Sequence, residues 1–428
     1  VKKFIKKIAL PVTVMLLYSH SVMAATTDLS LEDSIALTLQ NNSDMKVAQL
    51  EKEKAQWSLT QAKAKNGLAV NFQHSETRST APPSGSQDPL DPLAPYNYFA
   101  NQLTATLPLY TSGKIEGYID QAKLNTKLSD STITATKDQL KLEATTDYYS
   151  VLQAQKLLQV AQQGVDDFNS HLNTVQDQYN AGLVSTIDIL RTKVQLANSQ
   201  DNLVKAQNNY SLAVYNLNNI MGLPLHSETT LKENLAYIPY AKSLDESIQY
   251  ALANRPEVAQ AATSIAIAQD QVQISKSDLH PTISLVGTKA WDDMSFPGSQ
   301  YSNWTASVVA QINVFDSGAT NAQIKQAKDQ LQITQEKTRK LNDDISLQVN
   351  AAYLNMKESE KRIDTNKVAV DQAQESFRLE ELRYRNGMNT NLDVLDSELQ
   401  LIQTKTNYIQ ALYAYSINKA TLEKAIGL

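Results

Sequence analysis

Three aspartates carry the clearest electrostatic spacing in the chain. Asp188 and Asp393 each stand three residues after a hydroxyl, Ser185 and Thr390. At that spacing a hydroxyl and an acid close the start of a helix, with the acid beside the positive end of its dipole. Asp396 lies one turn further in, on the same face as Asp393, and its counterpart in the other half of the chain is Arg191. Capping accounts for Asp188 and Asp393 but not for Asp396. Two carboxylates on one helical face attract cations. Nothing beside them completes a reaction centre: the five histidines are scattered, no His-Glu-x-x-His spacing or Gly-rich phosphate loop occurs, and no Ser or Asp has a nucleophile context. The chain reads as a non-enzyme without cofactor or metal site.

The elements around these aspartates occur twice. Tyr179 to Leu190 and Tyr384 to Leu395 share a Tyr-x-x-Gly-x-x-(Ser/Thr)-x-x-Asp pattern at an offset of 205 residues. The same offset pairs Leu109-Tyr110-Thr111-Ser112-Gly113 with Val314-Phe315-Asp316-Ser317-Gly318, and Gly222-Leu223 with Gly427-Leu428. The openings of the two halves align at an offset of 213, pairing Leu31, Ser34 and Ile35 with Leu244, Ser247 and Ile248. A duplicated unit of this length predicts two equivalent halves, residues 25–223 and 244–428, joined by a segment at 224–243. Tandem duplication of this kind builds pseudo-symmetric rings and channels.

Long helices must carry the aspartates. No proline falls between Pro108 and Pro224 or after Pro297, and proline costs about 3 kcal/mol in a helix interior. Within those stretches Val151, Leu158, Val165, Leu172 and Tyr179 recur every seven residues, and Met356, Ile363, Val370, Phe377 and Tyr384 repeat the ladder. Sustained heptads mark a coiled-coil seam. The patterning predicts helices over about 30–65, 114–180, 186–221, 244–278, 319–384 and 391–426. Gly182 and Gly387 fall where a helix C-terminus takes glycine before the chain turns back.

Four segments of another kind interrupt the helices: Leu68–Arg78, Tyr98–Leu109, Thr282–Trp291 and Ser302–Phe315. The last alternates apolar and polar side chains cleanly and the second follows the same pattern, and each of the four is about as long as a tilted strand crossing a bilayer. Tyr96, Tyr98, Phe99, Trp291, Tyr301 and Trp304 gather at the loop ends, where an interfacial aromatic girdle belongs. A soluble sheet would show the same alternation, but without a reason for the aromatic border. Four strands cannot close a barrel, and lipid does not tolerate open edges, so several copies must share one barrel.

The first residues carry four lysines, an apolar run from Ile8 to Tyr18 and Val22-Met23-Ala24, the order of an export signal over residues 1–24. Without those lysines the formal charge of −6 becomes about −10, which disfavours nucleic-acid binding. The acidity suits either a cation-preferring pore or plain solubility. The chain has no cysteine, so there are no disulfides or thiolate metal sites.

An exported chain with two repeats, each a strand hairpin between helices and a long helical hairpin, resembles the TolC family of bacterial outer-membrane efflux proteins. The most specific residues are Leu107-Pro108-Leu109-Tyr110-Thr111-Ser112-Gly113 with its echo before Gly318, and the two Gly–Asp turns. The resemblance implies a mainly α fold with added β: coiled-coil helical hairpins forming an α-barrel, and four strands per chain contributing to a trimeric twelve-stranded transmembrane β-barrel. It implies a homotrimer held in outer-membrane lipid, extending into the periplasm, partnered by a periplasmic adaptor and an inner-membrane efflux pump or secretion ATPase. The function implied is a passive channel-tunnel for drugs, ions or proteins. In the family, acidic rings constrict the periplasmic mouth, and they match Asp393 and Asp396. Links holding the mouth closed match Tyr384 and Asp188, although the family's basic position holds Asn389 here, with Arg385 and Arg191 nearby. Adaptors meet the helical tips, which match Gly182, Leu183, Val184, Gly387 and Met388. Tyr384 is equally explained as seam packing, and the glycines as turn chemistry. The rival reading of the whole chain is a periplasmic coiled-coil adaptor or structural protein without a pore. Cargo, pump and trigger are not legible.

Overall fold

A computed structural model describes residues 28–80 and 95–428; the expected export signal and residues 81–94 lie outside the described residues. In chain order the elements are β1 (Asp28–Leu29), α1 (Leu31–Asn41), α2 (Ser43–Ala64), β2 (Ala69–Ser79), β3 (Tyr96–Tyr110), α3 (Lys114–Asn180) and α4 (Thr186–Ile220). There follow β4 (Thr230–Leu231), α5 (Leu244–Asn254), α6 (Pro256–Ser277), β5 (Thr282–Asp293), β6 (Tyr301–Gln311), α7 (Ala319–Arg385) and α8 (Asn391–Ile426). Two short helices, a strand pair and a helical hairpin thus follow one another twice.

α3 and α7 have 67 residues each, about 100 Å at 1.5 Å per residue. Both end in the same hydrogen-bonded turn. Gly182 and Gly387 take positive φ, the Leu183 N–H reaches the Gln178 carbonyl at 2.9 Å, and the Met388 N–H reaches the Arg383 carbonyl at 2.9 Å. This is the Schellman arrangement, in which glycine accepts a left-handed conformation that strains other residues. The return helices then begin on capping boxes at Ser185 and Thr390.

The structure departs from the expected elements in three places. The helix expected over 30–65 breaks at Asn42, whose extended backbone ends α1 while its side chain accepts from the Asp44 N–H at 2.8 Å. The helix expected over 244–278 breaks at Arg255, extended because Pro256 follows it at the first position of α6. The breaks are equivalent, and each docks on the end of its own repeat's return helix. Asn41 and Asn42 donate to the Met221 and Ile220 carbonyls at 3.1 and 3.2 Å, and Arg255 donates to the Ala425 carbonyl at 3.4 Å. The last expected strand stops at Gln311 rather than Phe315, because Gln311 pairs with Thr282, the first residue of β5, and among the described residues no partner strand lies beyond.

The main core sits midway along α3 and α7 and at the C-terminal ends of α4 and α8, where Tyr148, Leu152, Leu217, Met221, Ile345, Met356, Tyr415 and Leu422 pack together. The connection between α4 and α5 wraps it, pairing β4 with β1 and accepting the Tyr415 hydroxyl on the Ile238 carbonyl at 2.8 Å. At one end the four longer strands form an antiparallel sheet in the order β2-β3-β5-β6. The register lines up Asn71, Thr104, Thr288 and Thr305 in one row. The opposite face carries Val70, Phe72, Leu103, Leu285, Trp304 and Val308, all exposed. Two different faces remain open, and among the described residues no strand pairs with the outer edge of β2 or of β6.

Candidate functional site: the turn end of the helical hairpins

The far end of the molecule holds every site residue that the sequence singled out. Tyr384 closes the α7 ladder with its ring 3% exposed, packed against Val175, Ile189 and Val394. Its equivalent, Tyr179, is 40% exposed, so the repeat symmetry fails here. The Tyr384 hydroxyl is buried without a hydrogen-bond partner. Burial, with Asp188 nearby, pushes its pKa up to about 12, so it remains a neutral phenol able only to donate toward Asp188.

Asp188 and Asp393 serve the helix starts. The Asp188 carboxylate accepts from the Ser185 N–H and hydroxyl at 3.1 and 2.8 Å. Asp393 accepts from the Thr390 N–H and hydroxyl at 2.9 and 2.7 Å, and these bonds hold its carboxyl below the usual range. Asp396 is exposed and takes no part in a cap. It lines a groove of about 460 Å³ between α4 and α8 with Ile187, Leu190, Arg191, Val194 and Leu392. Asp396 and the residue at its repeat-equivalent position, Arg191, therefore share one cleft.

The basic position of the family pattern bonds within its own hairpin. The Asn389 amide donates to the Glu380 carbonyl and carboxylate at 3.0 and 2.5 Å. Arg385 is likewise paired with Glu381 one turn back on α7, at 2.5 Å. What joins the two hairpins is a polar cluster that sequence reasoning missed. His171 Nε2 meets the Asn391 side-chain oxygen at 2.7 Å, and Thr192 donates to the same oxygen at 3.3 Å. The Asn391 amide donates to the Asp188 carbonyl at 3.2 Å, and Gln178 donates to the Tyr384 carbonyl at 3.3 Å. His171 and Asn391 are both buried, and burial lowers the His171 pKa, so the neutral ring serves as the partner of the amide. His171 belongs to none of the heptad ladders, so its role showed only once α8 was placed beside α3 and α4.

The exposed tips are Gly182, Leu183, Gly387 and Met388, with Val184 half-buried behind them. Among the described residues no group of His, Asp and Glu could hold a metal ion, and no helix is long and apolar enough to cross a membrane.

A family model described as outer membrane efflux protein matches residues 34–223 and 247–428. The outer membrane protein TolC of Escherichia coli is 26% identical over 313 residues, covering 70% of this chain and 64% of that protein. The match thus spans just under two thirds of that relative's length. The probable efflux pump outer membrane protein TtgC of Pseudomonas putida is 22% identical over 414 residues, covering 94% of this chain and 83% of that protein. The crystal structure of the outer membrane protein VceC of Vibrio cholerae superposes with a TM-score of 0.77 at 17% identity, over 93% of this chain and 96% of that one, a likeness of fold.

Proposed function

Since the chain belongs to the outer membrane efflux protein family, we propose that it is an outer-membrane channel-tunnel, a passive conduit for efflux. Three copies would join their open sheet edges into one twelve-stranded barrel, with the helical hairpins assembled below into a periplasmic tube. The observation that carries this reading is the sheet. One face is exposed and mostly apolar, with Lys289 the charged exception in the Leu103–Trp304 row, and the other carries a polar row. Among the described residues no strand pairs with the outer edge of β2 or of β6. That combination is untenable in water and in lipid alike until the edges are closed by further copies.

In this reading Asp396 and Asp393 ring the mouth at the turn end. Asp396 contributes more, because the Asp393 carboxylate is spent on its cap. Tyr384 and Asp188 belong to the links that hold the mouth shut, together with the His171–Asn391–Thr192 cluster. The tips at Gly182, Leu183, Val184, Gly387 and Met388 are where a periplasmic adaptor would dock, bringing an inner-membrane pump or secretion ATPase. Its relatives are channel proteins rather than enzymes, and the site described here has no catalytic constellation.

The test is conductance of the purified protein in a planar bilayer, wild type beside Asp396→Ala. Stable cation-preferring currents that rise several-fold in the variant are expected. Well-folded protein that forms no channel would return the reading to a pore-free coiled coil. Currents indifferent to the substitution would keep the conduit and move its constriction.

A further inference from the structure

One acidic side chain near the mouth has no explanation in capping, ion pairing or the acidic ring. Glu398, five residues beyond Asp393 on α8, is 1% exposed, and both of its carboxylate oxygens are buried without a hydrogen-bond partner. Leu395 and Leu401, three residues to either side of it on α8, are buried as well. The helices packed against it bring acids, not bases. Asp167 of α3 and Glu381 of α7 both act on it with like charge. The cations in the neighbourhood are directed elsewhere: Arg385 pairs with Glu381, and Lys405 acts on Asp167, whose carboxylate also accepts from Gln163 at 2.7 Å. His171, one turn beyond Asp167 on α3, is itself buried and acts with Glu381 and Arg385.

An ionised carboxylate cannot be held in such a place. It would lose its water, gain no donor and face two like charges, each costly in a low-dielectric interior. A protonated carboxyl can be held there. Burial and the two neighbouring acids push the Glu398 pKa up to about 9. The seating of α8 against α3 therefore requires the proton.

We propose that Glu398 is a proton-binding site coupling closure of the α7–α8 hairpin against α3 to proton uptake. Seated, the side chain is a neutral acid. When the hairpin swings away, water reaches the carboxyl, the O–H bond breaks, the proton passes to water and the carboxylate is left hydrated. At neutral pH separation releases one proton per chain, and by linkage alkaline conditions favour the separated state. The bearing on gating rests on the conduit reading above; the protonation and the helix movement do not.

The absence of cysteine makes the test direct. Nitroxide labels placed through Asn173→Cys on α3 and Gln400→Cys on α8 report the distance between the helices, whether or not a channel conducts. From pH 7 to 10 the distance distribution should lengthen in otherwise unchanged protein and stay at its short value in Glu398→Gln. An infrared carbonyl band of a protonated carboxyl should be present at pH 7, vanish over the same interval, and be missing from Glu398→Gln. No band at pH 7, no lengthening by pH 10, or equal lengthening in Glu398→Gln would each overturn the proposal. If Glu398→Gln does not assemble, the unsubstituted protein decides: band loss and lengthening at different pH values would separate the proton from the movement. Failure to conduct alongside a titrating band would instead fall on the conduit reading.

Discussion

Tyr384 and Asn391 look alike in burial and differ in what their removal should do. The Tyr384 hydroxyl is buried with no partner, so Tyr384→Phe removes an unsatisfied polar atom and leaves the ring packing intact. Its effect on stability should be within about 1 kcal/mol of zero. If the hydroxyl links the hairpins on opening or closing, channel leak should rise with no matching fall in melting temperature. Asn391→Ala is the opposite case: it strands the buried His171 ring and the Asn391 side of the cluster, while Thr192 keeps its bond to the Asp188 carbonyl at 2.9 Å. Leaving buried partners unpaired should cost about 1–3 kcal/mol, read from denaturant unfolding. Two buried titratable groups also set opposing pH slopes. Glu398 rises from its ordinary value of 4.5 to about 9, so its contribution is fully present below about 4.5 and is lost as pH climbs toward 9. His171 is lowered by burial, so its contribution is present above its ordinary value of 6.5 and is lost as pH falls below it. Each pH unit of such a slope is worth at most about 1.4 kcal/mol. Glu398→Gln should therefore flatten the alkaline arm of the stability profile, and His171→Gln the acid arm, in melts from pH 5 to 9. An unchanged alkaline arm in the Glu398→Gln protein would mean that Glu398 is already ionised in the fold.

At the scale of elements, the breaks in the short helices turn out to be anchors. The Arg255 side chain is 5% exposed and holds Glu257 at 2.9 Å, Gln348 at 2.9 Å and the Ala425 carbonyl. Arg255→Ala should cost about 3–5 kcal/mol, because it leaves Glu257 without its partner and the end of α8 without a donor; a thermal melt measures it. This anchor was partly legible. Pro256 was in view, and a residue before proline is pushed out of the helical region, but the apolar pattern runs on through Arg255 and hid the break. Asn42 offered less, since no proline follows it and its capping role depends on Asp44 and on Ile220 from the far end of the repeat. The long helices were plain in the sequence because proline is missing and the heptads persist. Val151, Met356, Ile363 and Tyr384 from those ladders are indeed buried. The His171–Asn391–Thr192 cluster was not legible. Its members stand on three different helices, and no local pattern states which helices will be neighbours.

At the scale of the molecule, the sheet is the element that its own chain cannot complete. Alternation revealed the strands and their two faces, whereas the β3–β5 pairing that fuses the two repeats into one sheet depends on both halves being folded. Trp304 and Val308 are 73% and 65% exposed on the apolar face of β6. The neighbouring Ser307 points to the face of the polar row, paired with Val286 of β5. If this sheet faced water, an arginine at Val308 would be harmless and would even improve solubility. In lipid the same side chain near the bilayer midplane costs about 2–4 kcal/mol, while a polar-face residue looks into an aqueous lumen. Three copies in one barrel would carry that cost three times over. Val308→Arg should therefore abolish the trimer band of unheated samples on a mildly denaturing gel and move the protein out of the carbonate-resistant membrane fraction. Ser307→Arg should leave both unchanged and alter only conductance. A Val308→Arg protein that remains a membrane-bound trimer would show that this face does not meet lipid, and the barrel would have to be built from another surface.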